Sequence, residues 1–246
     1  MVHNPESRLA RLKKAAVPQD RSLRILSLAT LINTFGNGLF MTIEVIYFTF
    51  YVELSPSKVA LGLSISGGVS LLFSVPAGHI ADRYGPRDIA AISYCIEGLV
   101  LAGFVFIHSF LWFLLLSILV GSAGSMGQTL RMATIAQFGQ GEERVRVRAF
   151  TRAVTNLGIG LGTIFAGIAL AINSGAGYKT MLVLDALTFF GAAFVWLKLP
   201  YVAPITAKGD GLSFAALKDK KYLLATILNG IMSLHFVLQN VAIPLP

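Results

Sequence analysis

The sequence predicts an all-α, polytopic transmembrane helix bundle, and three observations carry that expectation. Of the 246 residues, 55% are hydrophobic and only 13% are charged, where an ordinary soluble domain has about 25% charged residues. The apolar residues come in blocks of roughly 20, the length a helix rising about 1.5 Å per residue needs to cross a bilayer core. The blocks do not alternate apolar with polar, as barrel strands would, and helices and closed barrels are the two structures that satisfy every backbone polar group in lipid.

The elements follow in order. Residues 1–22 form a basic lead-in with Arg8, Arg11, Lys13 and Lys14, and no short apolar region directly after them marks a cleavable signal. This lead-in lies amphipathically on the membrane surface or is a plain basic tail. A six-helix bundle occupies 23–198, with helices expected near 23–50, 58–79, 88–108, 110–136, 149–172 and 179–198. A linker follows at 199–221, with Pro200, Pro204, Gly209, Asp210 and Gly211 as its breakers. A seventh helix, near 222–245 within a segment 222–246, opens a second bundle that the sequence does not go on to complete.

Connections alternate between short, nearly uncharged links and charged ones, as a chain crossing a membrane back and forth requires. Of 20 Lys and Arg, only Lys58 and Lys179 fall on one side. The rest gather in the lead-in and in the 2–3, 4–5 and 6–7 links. Basic residues accumulate on the cytoplasmic side, so the N-terminus is expected in the cytoplasm of a multi-pass plasma-membrane protein.

Several function classes drop out. The formal net charge of +8 does not point to nucleic acid, because the charges sit in short loops between apolar blocks. Cys95 is the single cysteine, so no disulfide forms within the chain. His79 and His235 have no partner at metal-ligand spacing, and no cofactor or metal is expected. Neither G-x-S-x-G nor H-E-x-x-H occurs, which leaves a membrane-embedded enzyme as a weak alternative.

The 2–3 link carries the most specific motif: Gly78-His79-Ile80-Ala81-Asp82-Arg83-Tyr84-Gly85-Pro86-Arg87. Gly78 permits a tight exit or a close neighbouring helix, and Gly85 permits the turn back. Asp82 suits a helix start, where its carboxylate accepts from free N–H groups. Arg83 and Arg87 suit an anionic inner surface. In pattern and in place, this segment resembles the G-x-x-x-D-R-x-G-x-R/K signature of the major facilitator superfamily. A fainter echo lies in helix 5, where Gly158, Gly162 and Gly167 fit the glycine frame of that family's antiporter motif, with Thr163 in place of its proline and Ala166 in place of a glycine. Close helix packing is the better explanation of these glycines, because the missing proline removes the motif's helix-bending element.

The resemblance implies an N-terminal half of two inverted three-helix repeats plus helix 7 of the second half. It also implies a secondary transporter working by alternating access, with helices 1, 4 and 7 lining a central cavity, and a gating role for Asp82 against the second half. The expected partners are a small-molecule substrate, a coupling ion in the form of H+, the lipid bilayer, and a missing C-terminal half or a second copy. A drug-efflux-like branch agrees with the aromatic residues Phe40 and Tyr47 near the polar positions. A truncated half that only binds or assembles is the alternative.

Polar residues inside the spans give the candidate site. At about 100° per residue, Asn33, Glu44 and Asn37 fall within about 40° of one another on helix 1, with Tyr47 close by. Helix 4 offers Gly124, Gly127, Gln128, Arg131 and Thr134, and helix 7 offers Thr226, Asn229, Ser233 and Asn240. An intramembrane carboxyl group is costly, which singles out Glu44 as the candidate proton carrier. Glu97, in helix 3, is expected to form a structural pair with Arg131 or to bind a proton. Asp185, about two turns into helix 6, is expected to snorkel toward the surface.

Overall fold

A computed structural model describes residues 20–138 and 141–201, together with Lys220, Leu224 and Leu228. Six helices among these residues are long and apolar enough to cross a membrane. They are α1 (Arg21–Ile46), α2 (Pro56–Tyr84), α3 (Pro86–Gly103), α4 (Phe110–Phe138), α5 (Gly141–Ile172) and α6 (Gly175–Trp196). Lys220, Leu224 and Leu228 are helical too, but the expected seventh helix otherwise lies outside the described residues, as does the lead-in up to residue 19.

The helix centres fall where hydropathy places them, and the ends do not. α5 begins at Gly141 instead of near 149, because Glu and Arg are good helix formers and a helix need not stop where the membrane does. The 2–3 link nearly vanishes. α2 continues to Tyr84, α3 starts at Pro86, and Gly85 alone makes the turn with φ 86°. A left-handed φ suits glycine, and Pro at the first helical position has no N–H to leave unpaired. α1 ends in a π-helical turn, Tyr47–Tyr51, and α3 ends in a 3-10 turn, Phe104–Phe106.

At the start of α1, Asp20 caps the helix and accepts from Ser22 N at 2.5 Å and Leu23 N at 3.3 Å. Hydroxyls within the helix return to its own carbonyls: Thr30 donates to Leu26 O, Thr34 to Thr30 O and Thr42 to Gly38 O, each at 2.8 Å. Such local bonds satisfy a hydroxyl without a neighbouring helix.

Packing follows a palindromic order. α1 lies between α5 and α6, α3 lies between α6 and α4, and α2 packs on α4. The spatial order is therefore α5, α1, α6, α3, α4, α2. Exchanging α1 with α4, α2 with α5 and α3 with α6 gives the same order in reverse. Members of each exchanged pair are three spans apart and cross the membrane in opposite directions, which is the pattern of an inverted repeat.

Small residues set the closest approaches. A Cβ on Gly162 would lie 2.9 Å from Gly38 Cα, and a Cβ on Gly98 would lie 3.0 Å from Ala186 O. Lipid is as apolar as leucine, so backbone proximity and van der Waals packing do the work that hydrophobic burial does in water. Gly158 and Gly162 thus serve helix packing, whereas a Cβ on Gly167 would meet nothing within 4 Å. Large apolar side chains such as Met41, Leu72, Phe106 and Ile164 point outward, as a lipid-facing surface requires.

Candidate functional site

A cavity of about 290 Å³ lies inside the bundle, lined by Asn33, Thr34 and Asn37 of α1, Tyr94 and Glu97 of α3, Gly124, Gly127, Gln128 and Arg131 of α4, and Thr155 and Ile159 of α5. The α4 residues recur at the three- and four-residue spacing of one helix face. Gly124 and Gly127 make room for an acid, since a Cβ at either position would come within 3.4 and 3.3 Å of the Glu97 carboxylate oxygens. Glu97 itself is buried, and its Oε1 has no hydrogen-bond partner. Asn33 is also buried, and its Nδ2 is unpartnered. Buried polar groups left unpaired are costly, and these two side chains line the cavity, where the polar groups of a guest can meet them.

The expected Glu97–Arg131 pair is not made. An Arg131 terminal nitrogen donates to Gln128 Oε1, and the one ion pair between described residues joins Arg87 to Asp88 at 3.5 Å. The two side chains line the same cavity without closing on each other. Thr134 faces away and donates to Leu130 O at 2.8 Å.

Glu44 shares the angular direction of Asn33 and Asn37 but not their cavity. It lines a separate space of about 150 Å³ with Phe40, Leu63, Ser66, Phe104, Ser117, Val120 and Gly121. Ser117 Oγ is buried there without a partner. Phe40 stacks on Phe104 with centroids 5.8 Å apart, and Tyr47 is buried and donates to Phe104 O at 3.3 Å. Phe48, Phe104 and Phe113 complete this aromatic cluster, with Phe48 and Phe113 centroids 4.6 Å apart. Tyr47 therefore ties the end of α1 to the end of α3.

Asp185 does not snorkel. It is 0% exposed, its Oδ1 occupies the space beside Gly36 of α1, and its Oδ2 has no partner. Its depth in helix 6 said nothing of this. The signal available in the sequence was Gly36, a glycine that leaves room for a facing side chain.

The signature segment is mostly helical. Asp82 lies in the last turn of α2, and the position at the head of α3 belongs to Gly85, so Asp82 is not that helix's N-cap. The surroundings of Gly78 and Asp82 lie outside the described residues, as does Asn229. Arg83 sits over the Tyr84 ring at 5.6 Å. Arg87 Nη2 donates to Leu197 O at 2.7 Å, at the C-terminal end of α6, where a cation meets the negative end of the helix dipole. Arg87 thus ties the start of α3 to the end of α6 within the bundle, a role its expected place at the lipid surface did not suggest.

A family model described as the Major Facilitator Superfamily matches residues 26–243. Over 188 residues the chain is 24% identical to an uncharacterized MFS-type transporter, YqjV, of Bacillus subtilis (strain 168). That similarity takes in 74% of this chain and 45% of YqjV, so the chain spans about half the length of the curated relative it matches.

Proposed function

The chain belongs to the Major Facilitator Superfamily, and from that premise we propose that it is one half of a secondary transporter that moves a small solute by alternating access. A second six-helix half, or a second copy, completes it. The basic end of the bundle, with the N-terminus, lies in the cytoplasm of the plasma membrane. The observation that carries this reading is the cavity of about 290 Å³ with unpartnered Asn33 and Glu97 facing α4. A midplane site between rocking halves requires polar groups that stay free until a solute arrives.

In this reading solute and coupling proton occupy different rooms. The Glu44 chamber, about 150 Å³, has space for a handful of waters and is about half the size of the central cavity. A carboxyl group beside Ser66 and Ser117 can take up and give back a proton while α1 moves. Efflux of amphipathic compounds is the direction and class we assign.

The test is accumulation of fluorescent amphipathic dyes by the complete transporter in vesicles under an imposed pH gradient. The wild type accumulates dye. Glu44→Gln, which keeps the shape but cannot carry the proton, loses gradient-driven accumulation and retains downhill exchange. Full accumulation by the variant would reject Glu44 as the coupling site. No protein-dependent dye movement by the wild type would reject the efflux assignment.

A further inference from the structure

A second and larger cavity, of about 590 Å³, lies between α4 and α5 and shares Gln128, Arg131 and Thr155 with the central one. Its walls are two helical stripes. Residues 128, 131, 132 and 135 come from α4, and 148, 151, 152, 155 and 156 come from α5. Both sets follow the three- and four-residue spacing of a single helix face. The stripes bring three cations, Arg131, Arg148 and Arg152, to one space, and none of the described lining residues is a carboxylate.

This is an unfavourable arrangement if the cavity stays empty. Arg148 and Arg152 are like charges four residues apart, which weakens a helix. Arg131 is only 9% exposed, and its Nε has no partner. Thr151 is 5% exposed, and its Oγ1 is likewise unpartnered. Two nearly buried polar groups and two exposed guanidinium groups therefore converge on a space whose other wall includes the apolar Met132. A planar guanidinium forms charge-assisted, often bidentate bonds with carboxylate or phosphate, and an apolar wall suits a hydrocarbon or aromatic body.

The geometry points to a binding site for amphipathic anions, with a carboxylate or phosphate head on Arg131, Arg148, Arg152 and Thr151 and an apolar body along Met132. The anion is either a free organic acid or the head group of an anionic lipid. Only the first alternative rests on the transport reading, because binding here requires no transport.

The experiment uses the 246-residue chain in nanodiscs of phosphatidylcholine, with ligand retention read by native mass spectrometry. The probes are dodecanoate, dodecanol as its neutral counterpart, and phosphatidylglycerol doped into the disc. The site predicts retention of an anionic probe and not of dodecanol. In Arg131→Gln the affinity for that probe falls about tenfold to a hundredfold, the share of one charge-assisted contact. The paired change Arg148→Gln with Arg152→Gln, at exposed positions that leave the fold alone, weakens it by at least about tenfold. Retention of dodecanoate assigns the site to a free acid, and retention of phosphatidylglycerol alone assigns it to lipid. The proposal is overturned if dodecanol is held as well as dodecanoate and phosphatidylglycerol is not enriched, or if the paired variant binds the anions as the wild type does.

Discussion

Replacing Gly162 by alanine isolates what holds α1 to α5. The added methyl group would stand 2.9 Å from both Gly38 Cα and Leu39 N and would also run into the Phe35 carbonyl. Carbon atoms in ordinary contact sit about 3.5–4.0 Å apart, so the two helices must part by at least about 0.6 Å. All three obstacles are backbone atoms, which cannot swing away as a side chain would. Overpacking of this kind costs about 1–3 kcal/mol. For a chain of this size that lowers the melting temperature by roughly 2–12 °C. Gly160, two residues away on the same helix, supplies the control, because a Cβ there meets nothing within 4 Å. Alanine at 160 gains about 0.5–1 kcal/mol from helix propensity alone. The two substitutions are therefore expected to shift stability in opposite directions. Thermal unfolding in neutral-lipid nanodiscs, followed by tryptophan fluorescence, reads both. Equal melting temperatures for Gly162→Ala and Gly160→Ala would refute the close-approach argument.

Further expectations concern the loop and the orientation. In the complete transporter, Asp82→Asn should slow solute movement severalfold while insertion, read by protease protection, stays at the wild-type level, and unchanged transport would exclude a gating role. A reporter fused near Gly209 should read as cytoplasmic and one inserted near Gly175 as external, and the reverse labelling would overturn the proposed orientation.

The six spans and their order were legible because hydropathy measures the contact each segment makes with lipid. Helix ends were less legible, since backbone hydrogen bonding continues through charged residues. α5 therefore starts eight residues ahead of its apolar block, and the signature segment folds into α2. Periodicity puts Glu44 on the side of Asn33 and Asn37 but says nothing of its height on the helix. A residue seven positions beyond Asn37 lies about 10 Å farther along the helix, far enough to face different neighbours. The surroundings of Asp185 were hidden for another reason. They depend on which helices adjoin, and the close approaches between neighbours fall at small residues such as Gly36 and Gly38 that have no side-chain signature of their own. The cationic stripe of α5 was visible as Arg148 and Arg152, but as an inside-facing charge run and not as the wall of a cavity.

The central claim is that the space between α1 and α4 opens to each side of the membrane in turn. Cys95 is the only cysteine of these 246 residues, so Cys95→Ser, with any cysteine of the completing half replaced too, leaves a background in which Asn37→Cys is the sole thiol. Asn37 lines the central cavity. Its modification by a membrane-impermeant maleimide should be measured in intact cells and in inside-out vesicles. Alternating access predicts labelling from both faces. Labelling from one face alone, or from neither, would contradict it.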